Sequence, residues 1–298
     1  MIDKVDFSAL TDRAMVQAGR GHMRPVIEKE LLHYDILFGL DRDGLLDELT
    51  FQGGTALRLC YSSSRFSEGL DFAGGRDFSR ARVDGIRASL EDYVGQRYGL
   101  EVSVREPKDL ENDSGYRGLH VDTWQLSVTT APTRPDIPRQ RIKLEVANVA
   151  AYSRVPRSLH VNYDFLPDGY GDTLVLTESL DEIMADKLIS LVNTQRYVRH
   201  RDIWDLRWLK QQGAAVNPEW VANKVNDYRI DGYGAKLEEM RGRLPEIIHG
   251  AGFVDEMSRF LPVDVQQRTL EKPKFLDFLV DEIDGLLAEV GEALGDGG

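Results

Sequence analysis

Gly53 and Gly54 stand together between a short apolar stretch, Leu49-Thr50-Phe51, and a run, Ala56-Leu57-Arg58-Leu59, that reads as the start of a helix. Glycine accepts backbone conformations closed to other residues, so the pair predicts a tight strand-to-helix turn. Such a turn bares N–H groups at a helix N-terminus, where phosphate binds well. Arg58, one turn inside, would add a charge-assisted contact. A plain tight turn fits the same residues. No Gly-Lys-Ser or Gly-Lys-Thr ending follows, so the pattern is not a P-loop.

The hydrophobic period changes along the chain. Residues 7 to 47 read as helical, with Val26, Ile27, Leu31, Leu32 and Ile36 at roughly helical spacing. From about 70 to 165 the signal is of short strands: Leu70-Asp71-Phe72, Leu100 to Val104, Gln125 to Thr129 and Ile142 to Val146. A helix over Asp84 to Tyr98 fits between the first two, and Pro132, Pro135 and Pro138 make Thr130 to Arg139 a loop. After Thr177 the chain reads as helical to its end, closing on an amphipathic segment from Phe275 to Leu294. The expected class is α+β: leading helices, a small mixed sheet and a largely helical C-terminal half. We expect domains at 1–175 and 176–298.

The totals narrow the function. With 37 basic against 50 acidic side chains the net charge is −13, so nucleic acid could be held only over a local basic patch. The single cysteine, Cys60, excludes an internal disulfide and a multi-cysteine zinc site. No run of 18 apolar residues and no signal-peptide pattern occurs, so a cytoplasmic protein with no membrane association is expected.

Two further stretches carry chemistry. In Arg65-Phe66-Ser67-Glu68-Gly69-Leu70-Asp71-Phe72, Asp71 points away from its apolar neighbours and could hold Mg²⁺, which takes oxygen ligands. A second carboxylate on the same strand face would stand two residues earlier, where the chain has Gly69. Glu145 on a neighbouring strand is a further possible metal ligand, or a glutamate facing solvent. In Ser179 to Leu188, Lys187 falls within the apolar stripe of Leu180, Ile183, Met184, Leu188 and Leu191. An inward amine needs a partner, and Asp202 in Arg199 to Leu206 is available. Spacing admits both a structural Lys187–Asp202 ion pair and a lysine aimed at phosphates.

Together these stretches resemble the AbiEii/AbiGii family of nucleotidyltransferase toxins, the toxin halves of two-gene toxin–antitoxin and abortive-infection systems. Gly53 to Leu59 matches the family's first motif, Arg65 to Phe72 its second except at Gly69, Leu180 to Leu188 its third and Arg201 to Leu206 its fourth. The resemblance implies a DNA-polymerase-β-like nucleotidyltransferase core, with the C-terminal helical domain completing the active-site cleft. It implies Mg²⁺, an NTP substrate, an RNA acceptor such as the tRNA 3′ end, and an antitoxin encoded by the adjacent gene. By that resemblance Gly53, Gly54 and Thr55 would cradle the nucleotide, beside which Arg58 and Ser67 are our further candidate contacts. By the resemblance Asp71 would bind metal, with Glu145 our further candidate ligand; Lys187 would contact the nucleotide, and Asp202, supported by Asp205, would be the essential carboxylate. The family's pattern has aspartate where this chain has Gly69. Either glycine is an inactivating change in a toxin, or it is native and the chain works with fewer carboxylates or only binds NTP.

Arg196, Arg199, His200, Arg201, Arg207 and Lys210, with Arg139, Arg141, Arg154 and Arg157, could form the basic tract an RNA backbone needs, or a solvated mixed face. Transfer of a nucleotide to a small molecule, or NTP binding without catalysis, are the alternative functions. The apolar stripe of the last helix could pack internally or dock an antitoxin.

Overall fold

The computed structural model describes residues 5–16, 21–108, 119–134, 136–167, 169–194 and 197–295. The chain divides into two compact units, Met1–Glu178 and Ser179–Gly298.

The first unit opens with helices α1 (Phe7–Met15) and α2 (Arg24–Arg42). The region expected to be helical over 7–47 forms these two helices. Pro25 sits in the first turn of α2, where its missing N–H costs nothing, and Gly44 at φ +70° turns the chain after it. There follow β1 (Thr50–Gln52), α3 (Gly53–Cys60), β2 (Leu70–Ala73), α4 (Ile86–Tyr98), β3 (Val102–Arg105), β4 (Val121–Val128), β5 (Gln140–Ala147), β6 (Val155–Ser158) and β7 (Leu174–Thr177). The strands form one mixed sheet in the order β3-β4-β5-β2-β1-β7-β6. Here β2 runs parallel to β5 and β1 parallel to β7, and the remaining pairs are antiparallel.

Side chains alternate across each strand, so the sheet has two unlike faces. Val104, Trp124, Leu126, Val128, Ile142, Leu144 and Val146 are buried, and α2 packs on β5 and on α4. The intervening residues of β3, β4 and β5 are more exposed and, Val121 apart, polar. The strands β6 and β7 escaped the sequence reading. Pro156 weakens the strand signal of β6, which lies at the sheet edge where proline is tolerated, and β7 has only four residues.

The second unit is helical among its described residues: α5 (Leu180–Val192), α6 (His200–Gln211), α7 (Pro218–Asp227), α8 (Tyr233–His249), α9 (Ala251–Ser258), α10 (Val263–Arg268) and α11 (Pro273–Gly295). Ser179 caps α5 by accepting from the Glu182 N–H at 3.3 Å. Leu276, Leu279, Ile283, Leu286, Leu287 and Val290 of α11 are buried, and α11 packs on α8, α6 and α7. Most of its apolar stripe is thus internal packing, while Phe278 is exposed. Among the described residues no helix is long and apolar enough to cross a membrane.

Candidate active site

The glycine pair does not precede its helix; it forms the first turn of α3. Gln52 immediately before it lies opposite Asp71 in the antiparallel β1–β2 register. Gly53 has φ +76°, and a β-carbon there would meet Asp71 Oδ2 at 2.9 Å. A β-carbon on Gly54 would stand 2.3 Å from Arg65 Nη2 and 3.1 Å from Ser67 Oγ. Both positions therefore need glycine because side chains of the second motif lie against their backbone.

The two motifs dock residue by residue. The Arg65 guanidinium lies over Gly54 and donates to the Phe66 carbonyl at 2.7 Å. Phe66 lies 4.2 Å from the Arg58 guanidinium, Thr55 Oγ1 donates to the Gly69 carbonyl, and Phe72 stacks on Phe51 at 5.0 Å. From α2, Lys29 pairs with Glu68 at 2.6 Å and His33 Nε2 donates to the Glu68 carbonyl at 3.3 Å. This network holds Asp71 at the start of α3.

This packing engages the side chains of two residues expected to contact nucleotide. Arg58 is buried and donates to both carboxylate oxygens of Glu30, at 2.7 and 3.0 Å, and to the Ser63 carbonyl at 2.9 Å. Burial works against the Glu30 carboxylate, yet Arg58 beside it holds the group below its usual range. Arg58 is thus a buried strut between α3, Glu30 and the Ser63 carbonyl. The Thr55 side chain is also buried, its hydroxyl engaged with Gly69, which leaves only its backbone toward the helix N-terminus. Ser67 is buried beside Gly54.

Asp71 and Glu145 come together as neighbours in the parallel β2–β5 register, and Thr123 on β4 lies next to Glu145 and donates to it at 3.3 Å. Gln52, Asp71, Glu145 and Thr123 thus line one row of oxygen-bearing side chains on the polar face. Gln52 Oε1 is buried without a hydrogen-bond partner among the described residues. Such a row suits a hard cation, because Mg²⁺ keeps one or two carboxylates and takes further oxygens from water and substrate phosphates. Among the described residues no group of three or more His, Cys, Asp and Glu side chains gathers as a full metal cage.

Gly69 lies just before β2. A β-carbon there would meet only the Lys143 carbonyl, at 3.3 Å, and the backbone is not in the left-handed region. Unlike Gly53 and Gly54, nothing local requires glycine at this position. A β-carbon there needs the Lys143 carbonyl to give by a few tenths of an ångström.

In the second unit Lys187 Nζ lies 2.6 Å from Asp202 Oδ1 and 3.1 Å from Asp205 Oδ2, and Ser190 Oγ donates to Asp202 Oδ2 at 2.7 Å. The lysine and both aspartates are largely withdrawn from solvent, with side-chain exposures of 12%, 5% and 1%. The ion pair foreseen between α5 and α6 is present, with Asp205 as a second carboxylate. Sequence reading missed a companion triad in which Lys224, 1% exposed, lies 3.0 Å from Glu182 and 2.8 Å from Asp186. The i, i+4 spacing of Glu182 and Asp186 on α5 was its only local signal.

Several cations of the expected basic tract are engaged within their own units. Arg139 is paired with Glu101, Arg154 donates to Thr50 and the Asp47 carbonyl, and Arg157 lies over Tyr61 on the far edge strand β6. Between β5 and β6 stand three strands, a separation of about 19 Å at ordinary strand spacing. In the second unit Arg201 pairs with Glu256 and Lys210 with Glu282, while Arg207 is buried against Trp204 and Phe275. Burial pushes the Arg207 guanidinium down to about 10. Trp204 and Trp208 are core residues, and Arg196 lies outside the described residues.

A family model described as nucleotidyl transferase AbiEii toxin, type IV TA system, matches residues 35–286. The chain belongs to this family. As an AbiEii-family chain it is a toxin-type nucleotidyltransferase, which implies an NTP substrate, a divalent metal and an antitoxin partner. It is similar in structure to MenT4, nucleotidyltransferase toxin Rv2826c from Mycobacterium tuberculosis H37Rv, at 18% identity and a TM-score of 0.49, over 98% of each chain. It is also similar to JHP933 from Helicobacter pylori, at 19% identity and a TM-score of 0.40, over 91% of this chain and 94% of that one. No curated protein sequence matches the chain.

Proposed function

We propose that the active form of this AbiEii-family chain transfers a nucleoside monophosphate from an NTP to the 3′ end of an RNA, tRNA being the acceptor to test first, and that Gly69 impairs the chain as it stands. The observation that carries this reading is Asp71 held over Gly53 at the start of α3, with Glu145 in register beside it. The α3 N-terminus has no side-chain cap, so its N–H groups can receive phosphate oxygens. Asp71 and Glu145 would hold Mg²⁺, with Gln52 Oε1 as a neighbouring oxygen. When bound, the ion offsets the charge that builds on the phosphates in transfer. The acceptor hydroxyl attacks the α-phosphorus, a new P–O bond forms, and the bond to pyrophosphate breaks. Lys187, held by Asp202 and Asp205 within its own unit, is the lysine we propose for nucleotide contact.

Gly69 supplies no side-chain oxygen, and loss of one carboxylate from a two-metal arrangement removes several kcal/mol of transition-state stabilisation. We read it as an inactivating change in a chain whose active form is toxic, because the surrounding motif, Arg65 to Phe72, is otherwise intact. The test is incorporation of each α-labelled NTP into total bacterial RNA with Mg²⁺, comparing the chain with Gly69→Asp. Labelling by the aspartate form alone is expected. If neither form labels RNA while both bind NTP, the chain is an NTP-binding protein and the transfer reading fails.

A further inference from the structure

Beyond Asp71 the polar face of the sheet continues in rows across β5, β4 and β3. One row below Glu145, Lys143 lies opposite Gln125, and Gln125 lies opposite Arg105. The next row is Arg141, Ser127 and Ser103. Ser103, Arg105, Arg141 and Lys143 are exposed, and neither row contains a carboxylate. Arg105 donates to Gln125 at 2.9 Å, Lys143 lies 3.8 Å from Glu145, and Arg141 has no ion pair or hydrogen bond among the described residues.

We propose that this face is the docking track for the backbone of a single-stranded RNA, leading its 3′ end to Asp71; the placement of that end rests on the transfer reading above. Charge complementarity selects the occupant. A chain of net charge −13 repels a polyanion in general, so three exposed cations in two carboxylate-free rows mark a local exception. The neutral side chains between them suit RNA as well. Ser103, Ser127, Gln125 and Thr123 are short donors and acceptors of the kind that bind phosphate oxygens and 2′-hydroxyls.

Geometry favours one strand over a duplex. Along β5 the same-face residues Glu145, Lys143 and Arg141 follow at about 6.7 Å, and β2 to β3 spans about 14 Å. That track is long enough for a few extended nucleotides. Its two carboxylates stand together at one end, where a 3′-hydroxyl would react, and its cations lie behind them.

The test measures binding of a fluorescent single-stranded RNA oligonucleotide to the full chain over a salt series. The variant replaces Arg105, Arg141 and Lys143 by Gln together. Expected are an affinity loss of at least about tenfold and a salt slope shallower by about 2, from three lost phosphate contacts. The control that keeps charge, R105K/R141K/K143R, should preserve the slope. An unchanged slope and affinity overturns the proposal, as does a wild-type chain that binds no RNA. Loss of an acidic protein partner with RNA binding intact also overturns it.

Labelling separates this inference from the transfer reading. In a Gly69→Asp background the triple Gln variant should raise KM for RNA and leave KM for NTP unchanged. If Gly69→Asp labels RNA with the same KM with or without the three cations, docking here is refuted and transfer stands. If Gly69→Asp labels nothing while the cations still govern RNA binding, transfer is refuted and the track stands.

Discussion

The β-carbon that Gly53 lacks would stand 2.9 Å from Asp71 Oδ2, on a backbone held at φ +76°. The first motif's glycine and the second motif's aspartate are thus two halves of one close approach. Gly53→Ala adds both a strained left-handed residue and a collision with the carboxylate. The expected result is a loss of about 1–3 kcal/mol in stability. RNA labelling in a Gly69→Asp background should fall beyond what unfolding explains. Urea denaturation together with labelling at a temperature where the variant is folded measures both.

Arg58 and Glu30 form a buried bidentate pair, which predicts an effect on folding rather than on phosphate. Arg58→Met leaves the Glu30 carboxylate buried without its cation and should cost about 3–5 kcal/mol. The urea midpoint reports the loss. In the folded fraction NTP affinity should be unchanged; a tenfold weaker NTP affinity with an unaltered midpoint would restore the phosphate role.

The Lys187 triad carries one cation and two carboxylates, so its members are unequal as targets. Asp202→Asn leaves Lys187 paired with Asp205 and keeps an oxygen for Ser190, so stability should change by only about 1 kcal/mol. Lys187→Met strands two like charges and should cost about 3–5 kcal/mol. Asp202→Asn is therefore the clean probe: in a Gly69→Asp background it should abolish RNA labelling with the thermal midpoint nearly kept. Retained labelling would reduce the triad to a structural element.

His33 supplies a pH dependence. Burial lowers its imidazole to about 4 from an ordinary 6.5, outweighing the opposing contact with the Glu68 carbonyl. The folded state thus binds the proton less well than the unfolded one. Its contribution is present above about pH 6.5 and is lost as pH falls through about 4, roughly 3 kcal/mol in all. Since His33 anchors the backbone just before Gly69, the Arg65–Phe72 stretch should loosen first. His33→Gln should flatten the acid limb of stability between those two pH values; an unchanged limb assigns it to other groups.

The chain itself determined the local grammar of this protein. The glycine pair, the alternation around Asp71 and Ile142 to Val146, and the helical spacing after Thr177 depend on steric rules within a few residues. They are legible in the chain alone. So is membership in a toxin nucleotidyltransferase family, because four short motifs in order do not depend on packing. Tertiary structure decided who meets whom. Thr55 and Arg58 look like phosphate ligands in a linear motif, yet both turn inward, Arg58 toward a glutamate 28 residues away. Lys224 finds Asp186 across 38 residues, and the Lys143–Gln125–Arg105 row exists only because β3, β4 and β5 pair in one register. A buried charge must be paired, and its partner is chosen by burial and strand register, which no local pattern encodes.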